Sequence, residues 1–480
     1  MNDQLNAVIG ANRFGLGARP GEIAWIKHDP REWLKAQVKG VREVPPLIAE
    51  LTPADQIHQS QVATLRARIE AQRAASANNS SQSTLAVAEV SNTVRENFLA
   101  QVNARYQVAI RSEEPFRERL VHFWSNHFAV SMDKNIVSAM AGAMENEAIR
   151  PNLSGSFYQL LLAAESHPAM ITYLDNQLSI GPNSTVAQMI ARRGSTQRNL
   201  NINENLGREI LELHTLGVSG GYTQSDVTSF AKVLTGWSIS ETQGPLALTN
   251  RVSIQNEQIA AGQFIYRDGL HEPEAQTILG KRYAQQGLDQ AKAVLKDLSN
   301  HPSTARFIAT KLARHFIADE PPAAAVDRIA KVFLDTEGDL PSVHSAVVDS
   351  AEAWAYVATK FKTPHEFVIS TFRAVDYVPE RPLLITQPLQ SLGQVPFTPG
   401  SPAGWDDVAG RWDGSDALMK RIEWATQFSQ RANIRQSPVQ IAEQSLGDAL
   451  GEHSRMALTG AADRVQGMVL WLVSPEFQRR

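Results

Sequence analysis

Apolar residues recur at helical spacing along most of the chain. In the segment 203–237, Leu206, Ile210 and Leu213 form one apolar stripe, and a glycine-rich turn then leads into a second helical run. Elsewhere a capping threonine precedes a proline, and an acid follows two residues later, as at 52–55 and 363–366. This order of residues marks the start of a helix.

Strand signals are sparse. The segments 251–254 and 276–280 are rich in β-branched residues, but they are only long enough to form a small hairpin beside the helices. We therefore predict a mainly α fold: a multi-helix globular body with long irregular loops and at most a small β-hairpin.

Shifts in composition divide the chain into four predicted segments. Residues 1–110 form an N-terminal helical arm with a flexible Ala/Ser/Asn-rich insertion near 70–95. Residues 111–375 form a central helical core that carries the motifs. Residues 376–412 form a Pro/Gly/Trp-rich connection, and residues 413–480 form C-terminal helices packed on the core.

Composition excludes several classes of function. The chain has 480 residues, of which 43% are hydrophobic, so it can bury a sizeable core. A net charge of −4 without a basic tract argues against nucleic acid as a partner. The absence of cysteine excludes disulfides and thiolate metal sites. No apolar run is long enough for a membrane span, and the absence of a secretory signal leads us to expect a cytoplasmic protein.

The first candidate site is the polar face of the helix that begins near residue 204. The members of this face fall within an arc of about 140° on an ideal helix; they are Glu204, Asn205, Arg208, Glu209 and Glu212. Arg208 has an acid four residues away on each side, whereas Asn205 and Glu209 have no basic partner. The face is therefore either an exposed ion-pair ladder or the wall of a polar site. Because His214 lies about 200° from its centre, we expect His214 to pack in the core near the helix end.

Histidines supply the other candidates. His122 and His127 lie in an aromatic run and are five residues apart, about 140° around a helix, so they converge only if the helix ends near residue 125. The alternative is a buried aromatic helix with hydrogen-bonded histidines. His271 precedes a proline-kinked acidic turn, which fits either a ligand or acid–base group or an ordinary exposed turn.

A basic stripe at helical spacing completes the pattern. Arg306, Thr310 and Arg314 share one helix face, opposite an apolar face. Because buried charges must be matched, this stripe is a possible internal partner for the acidic face of the 204–215 helix. The chain lacks a G-x-S-x-G elbow, a Walker A loop and a dinucleotide fingerprint.

Several long motifs, in order along nearly the whole chain, resemble the bacterial "domain of unknown function 1800" family. They are Asn12-Arg-Phe-Gly-Leu-Gly-Ala-Arg-Pro-Gly-Glu22, His122-Phe-Trp-x-x-His127-Phe, Tyr173-Leu-Asp175-Asn176, Asn203-Glu-Asn-x-x-Arg208-Glu209-x-x-Glu212-x-His214-Thr-Leu-Gly217, Gly221-Tyr-Thr-x-x-Asp226, Leu234-Thr-Gly-Trp237, His271 and the 301–316 run. The resemblance implies a helical protein without an established activity. Family members are often encoded beside a second uncharacterised family whose products carry export signals. This implies a co-encoded partner protein, with the periplasm by co-export as the alternative location.

The resemblance also changes how the candidate residues are interpreted. The family pattern includes Asn205, Arg208, Glu209 and Glu212, which favours a buried network or a site over an exposed ladder. The pattern also includes the three histidines.

Two functional hypotheses follow. The first is a metal-dependent, hydrolase-like enzyme acting on an unidentified small molecule. In it His122, His127 and His271 hold a divalent metal through N/O ligands, and Arg208, Glu209, Glu212 and Asn205 form the catalytic face. The second is a non-enzymatic helical scaffold for the co-encoded exported protein.

Overall fold

The computed structural model describes residues 3–75, 81–192, 202–240, 260–355, 358 and 360–480. The fold over these residues is mainly α, as the sequence predicts, and short helices and irregular loops connect the longer helices. Across this part of the chain, no helix is both long enough and apolar enough to cross a bilayer.

The first half of the chain contains fourteen α-helices in the described residues. Their bounds are α1 Asp3–Ile9, α2 Glu22–Ile26, α3 Pro30–Ala36, α4 Pro46–Ala49, α5 Ala54–Ala75, α6 Ser81–Arg111, α7 Pro115–His127, α8 Met140–Met144, α9 Arg150–Asn152, α10 Phe157–Glu165, α11 Pro168–Tyr173, α12 Thr185–Arg192, α13 Asn205–Glu209 and α14 Gln224–Val233. Three segments have the wider turn of a π-helix and continue an α-helix; they are Gly10–Phe14, Glu145–Ile149 and Ile210–His214.

The second half has the same character. Its α-helices are α15 Leu288–Ser299, α16 Pro302–Phe316, α17 Ala323–Asp335, α18 Leu340–Asp349, α19 Pro364–Ala374, α20 Leu383–Ser391, α21 Ser415–Arg431, α22 Pro438–Leu446, α23 Glu452–Thr459, α24 Arg464–Val473 and α25 Pro475–Gln478. The predicted start of α19 is confirmed, because the Thr363 side chain caps the helix and the Glu366 carboxylate bonds back to the Thr363 N–H.

The strands form two small antiparallel pairs. β1 Trp237–Ile239 pairs with β2 Phe264–Tyr266, and β3 Gln276–Ile278 pairs with β4 Lys281–Tyr283. The predicted strand near 276–280 is present and pairs with the residues that follow it, whereas the other predicted strand, 251–254, lies outside the described residues. β3 and β4 are joined by Leu279 and Gly280, which both have positive φ, as a tight two-residue hairpin turn requires.

The Ala/Ser/Asn-rich segment near 70–95, predicted as a flexible insertion, is helical where the structure describes it. α5 continues to Ala75, and α6 already begins at Ser81 and packs against α5. Alanine is the best helix former, so an Ala-rich segment with scattered Ser and Asn stays helical when a neighbouring helix supports it. The residues 76–80 lie outside the described part of the chain.

One hydrophobic core joins parts of the chain that are distant in sequence. It extends from Ile9 to Phe477 and includes residues of the N-terminal, central and C-terminal segments. Phe14 contacts Phe116, Phe316 and Trp354, with ring centroids 5.8, 5.7 and 5.2 Å away. The N-terminal segment is thus packed into the same core as the helices that carry the motifs.

Buried ion pairs cross this core. Arg150 pairs with Glu118 at 2.6 Å, and Arg373 pairs with Glu22 at 3.1 Å. Each pair joins elements that are separate in sequence, and each neutralises a charge that would be costly to bury alone. A third pair, Arg105 with Glu145, borders the cavity described next.

Candidate functional site

A cavity of about 280 Å³ lies among α6, α7, α16 and α19. α7 contributes the most polar side chains to its wall, including both histidines of the aromatic run. The segment 394–408, which the sequence identifies only as part of a connection, lines another side with Gln394, Phe397, Trp405 and Asp407. The cavity therefore collects residues from seven separate parts of the chain.

Arg105 and His365 form one wall of the cavity. The Arg105 guanidinium donates to both oxygens of Glu145, at 2.8 and 3.0 Å, and its carbon lies 4.9 Å from the Phe397 ring centroid. His365 Nε2 donates to the Gln394 carbonyl at 3.2 Å, and Nδ1 accepts from the Tyr106 hydroxyl. Burial, and then the charge of Arg105, lower the pKa of His365 well below its usual value, so the ring is neutral.

A second wall is built around Glu366. Arg119 donates to this carboxylate and to the Gly15 carbonyl, and Arg480 Nε lies 2.9 Å from the same carboxylate. Burial alone would raise the pKa of Glu366. The Arg480 and Arg119 charges outweigh burial and hold that pKa well below its usual range. Glu366 is therefore an ionised carboxylate between two buried guanidiniums.

His122 lines the cavity between these walls. Its Nε2 atom is buried and has no hydrogen-bond partner within the described residues. Burial, followed by the charge of Arg105, lowers the pKa of His122 well below its usual value. The ring is thus a neutral imidazole with an unused nitrogen beside an open space. A buried nitrogen without a partner costs free energy, and a ligand in the cavity could satisfy it.

Lys311 and His127 form a hydrogen-bonded pair at the other end of the cavity. His127 Nε2 donates to the His214 carbonyl at 3.1 Å, so Nδ1 is the acceptor for Lys311 Nζ at 3.0 Å. Burial and the Lys311 charge keep the pKa of His127 well below its usual value. Burial also lowers the pKa of Lys311 to about 8, with Asp407 opposing this shift and Arg314 adding to it.

The positive charges of α16 at this end are not neutralised locally. In the described part of the chain, neither Lys311 nor Arg314 has a carboxylate within salt-bridge distance; the Arg314 Nε donates to the Asp319 carbonyl at 3.1 Å. Asp407 is already engaged by His315 at 2.5 Å and by Lys360 at 3.1 Å. The wall formed by α16 therefore has two cations available to a bound anion.

The polar face of the 204–212 segment lies away from this cavity. Arg208 bonds Glu204 at 3.1 Å, Gln224 at 3.0 Å and Glu212 at 3.7 Å, and about a third of its side chain is exposed. Asn205 is exposed. These residues match the ion-pair ladder that the spacing predicts. They are among neither the cavity-lining residues nor the partners of its histidines.

His214 has a neighbour that ideal helical spacing does not predict. The helix widens into a π-helical turn at Ile210–His214, so the spacing of 3.6 residues per turn does not hold there. His214 is fully buried, as expected, and its Nδ1 lies 2.7 Å from the buried Glu165 carboxylate. Glu209 is half-buried, and burial raises its pKa. The Glu165–His214 pair thus lies directly behind His127.

The predicted pairing of the basic stripe with the 204–215 helix is wrong. Arg306 pairs with the exposed Asp327 at 2.7 Å, and Arg314 turns to the Asp319 carbonyl. α16 packs against α17, and this contact directs the stripe towards neighbours in its own part of the chain.

His271 lies in a separate environment. It is 7% exposed, and its Nδ1 donates to the Thr235 carbonyl at 2.9 Å, so the exposed-turn alternative is wrong. The adjacent Glu272 accepts from the backbone and side chain of Asn183, at 2.9 and 2.6 Å. These bonds hold the turn against the loop at 181–183.

The three histidines predicted as metal ligands do not lie together around one point. Within the described ranges, no three His, Asp or Glu side chains are placed to hold one metal ion. His122 and His127 share the cavity, but both nitrogens of His127 are occupied by the His214 carbonyl and Lys311. His271 is not among the cavity-lining residues.

Comparison with known proteins identifies the family to which the chain belongs. A family model described as "Protein of unknown function (DUF1800)" matches residues 10–479. The chain belongs to this family. Comparisons with curated proteins and with solved structures gave no match. For this DUF1800 chain, the structure is therefore the only guide to a site.

Several cavity residues are absent from the sequence-based candidates. Arg105, Glu145 and His365 come from three separate elements, and nothing local in the sequence brings them together. Lys311 did leave a signal in the DUF1800 motif at 301–316. At helical spacing it interrupts the apolar face formed by Phe307 and Leu312, which is an unusual position for a lysine.

Proposed function

We propose that this protein is an enzyme that binds a small anionic substrate in the cavity and transfers protons to and from it. The observation that carries the proposal is the pair of cations on α16, Lys311 and Arg314, which border an open cavity without a carboxylate partner in the described residues. A protein interior that holds two such charges has an electrostatic reason to bind an anion.

The size of the cavity fits a small metabolite. Small-molecule sites usually enclose roughly 300–1,000 Å³, and this cavity, at about 280 Å³, lies at the lower limit. Its lining combines apolar side chains such as Met144 and Phe397 with many polar and charged groups, several of which are fixed by hydrogen bonds to one another. Fixed polar groups of this kind orient a bound ligand.

Acid–base groups are in place on both sides. A proton-transfer group works best when its pKa is near the working pH, and the Lys311 pKa of about 8 meets that condition. Neutral His122 offers Nε2 as a proton acceptor, and His127 Nδ1 is the acceptor already in contact with Lys311. In this proposal the acid–base groups are therefore His122, Lys311 and His127. They replace the catalytic face expected from the sequence, which consists of Arg208, Glu209, Glu212 and Asn205.

This proposal replaces the metal-dependent hydrolysis expected from the sequence. That hypothesis needs His122, His127 and His271 around one ion, and the donors are not grouped in this way. The scaffold role for a co-encoded partner stays a prediction, because no described contact tests it.

Titration with inorganic phosphate at constant ionic strength, followed by calorimetry, tests the proposal. We expect saturable binding with a dissociation constant of about 1 mM or tighter. Arg314→Met should weaken binding at least about tenfold, because a partly buried charge contact with an anion contributes more than 1 kcal/mol. Arg306→Met is the matched control: it removes the same charge from the same helix, at an exposed position paired with Asp327.

The outcomes separate the candidate sites. Binding that survives Arg306→Met but not Arg314→Met supports the cavity. Absence of saturable binding, or equal losses in the two variants, contradicts it. A selective loss in Arg208→Met would instead place the anion on the 204–212 face.

A further inference from the structure

Lys311 has an unusual set of neighbours for a buried lysine. Its Nζ donates to a neutral imidazole, His127, and lies 5.5 Å from the centroid of the Phe307 ring. Arg314 is one turn further along α16, so the nearest charged group on its own helix has the same sign. Most buried lysines are neutralised by a carboxylate, and this one borders a cavity instead.

These neighbours favour the neutral amine. Burial, the largest cause, lowers the Lys311 pKa to about 8; the Asp407 carboxylate across the cavity opposes this shift, and the like charge of Arg314 adds to it. At pH 8, the neutral fraction of such an amine exceeds that of an ordinary exposed lysine by a factor on the order of 100. A desolvated lysine near another cation is the arrangement that activates amines as nucleophiles towards carbonyl groups.

We propose that Lys311 forms an imine with the aldehyde or ketone group of a small carboxylic acid bound in the cavity. This inference rests on the proposed function and names its substrate class. Arg314 pairs with the substrate carboxylate, and the Lys311 nitrogen faces the carbonyl carbon from the same helix.

The step balances without another reactant. At pH 8 about half of the Lys311 amine is already neutral, because its pKa is about 8. The neutral amine attacks the carbonyl carbon, so that a C–N bond forms, the C=O π bond breaks, and one proton moves from the nitrogen to the oxygen. The nitrogen then loses its second proton to the same oxygen, which leaves as water while the nitrogen lone pair completes the C=N bond. The unpaired Nε2 of His122 borders the cavity and relays these protons.

Reductive trapping tests the inference on the full chain. The protein is incubated with glyoxylate, a small anionic aldehyde, and cyanoborohydride at pH 8, and modified lysines are located by peptide mass spectrometry. We expect a carboxymethyl group to appear on Lys311 at least about tenfold faster than on exposed Lys331, because far more of the Lys311 amine is neutral. Inorganic phosphate should slow the labelling of Lys311 but not that of Lys331.

A matched pair of variants separates this inference from the proposed function. Lys311→Arg removes the primary amine, so the fast adduct at this position should disappear while Lys331 is labelled as in wild type. Arg314→Met should retain the amine but slow its labelling, because the glyoxylate carboxylate loses its partner. If the protein binds phosphate but Lys311 is labelled no faster than Lys331, the imine is overturned and the proposed anion site still stands. If Lys311 is labelled fast but phosphate does not slow the labelling, the aldehyde and phosphate do not share an anion site, and that part of the inference is overturned.

Discussion

Replacing Glu366 with alanine is expected to lower the free energy of unfolding by about 3–5 kcal/mol. The variant leaves the buried guanidiniums of Arg119 and Arg480 without their shared carboxylate. The closest remaining acid to Arg480 is Asp407, at 3.9 Å and already paired with His315 and Lys360. The variant also removes the bond from Glu366 to the Thr363 N–H that begins α19.

Urea unfolding of Glu366→Ala measures this loss, and Glu352→Ala is its control. Glu352 also pairs with an arginine, Arg328, but both partners are partly exposed. An exposed pair contributes at most about 1 kcal/mol, so the control should unfold near the wild-type midpoint. Equal destabilisation of the two variants would show that Glu366 is not the centre of a buried charge network.

Replacing Lys311 with methionine is expected to have the opposite effect. Removing a partly buried ammonium that lacks a carboxylate within salt-bridge distance should raise the free energy of unfolding by about 1–3 kcal/mol at pH 7, where partial exposure to solvent sets the lower figure. The pKa of Lys311 is lower in the folded chain than in the unfolded one. The stability that the charged Lys311 amine costs the folded chain is therefore lost in full below pH 8. This cost disappears as the pH rises from about 8 towards the pKa of a lysine in the unfolded chain.

Unfolding of Lys311→Met and wild type at pH 7 and pH 10 tests this prediction. The advantage of the variant should be clear at pH 7 and much smaller at pH 10. Lys331→Met is the control, because Lys331 is exposed and pairs only with Asp335 one turn away. A Lys311→Met protein less stable than wild type at pH 7 would mean that the ammonium stabilises the fold, and a role in ligand binding would lose its support. A residue that costs stability is typical of a functional site.

The sequence predicts the fold class well because local patterns specify helices. The helix start at Thr363 and the ion pairs of Arg208 both depend on residues within one or two turns, and both are present in the structure. The sequence does not predict which polar face is enclosed. Arg208 is partly exposed, whereas the Arg119–Glu366 contact joins helices that are far apart in sequence.

The π-helical turn at Ile210–His214 explains another limit of sequence reasoning. Projection on an ideal helix assumes 3.6 residues per turn, and one wider turn shifts every later side chain. The wider turn leaves His214 buried, as predicted. It also places His214 beside Glu165, and the spacing of residues within the helix does not indicate this contact. The candidate site is likewise assembled by tertiary contacts among α6, α7, α16 and α19.

The most direct test of the cavity as the functional site is a paired measurement on His122→Leu. Because His122 Nε2 has no partner in the described residues, leucine leaves no hydrogen-bonding group unsatisfied, and the similar volume keeps the wall filled. Stability and the rate at which glyoxylate and cyanoborohydride label Lys311 are measured on the same preparation. If the cavity is the site, the variant is at least as stable as wild type and Lys311 is labelled at least about tenfold more slowly, because the proton acceptor at Nε2 is lost. A variant that is clearly less stable yet is labelled as fast as wild type would show that His122 is a structural residue and that the site lies elsewhere.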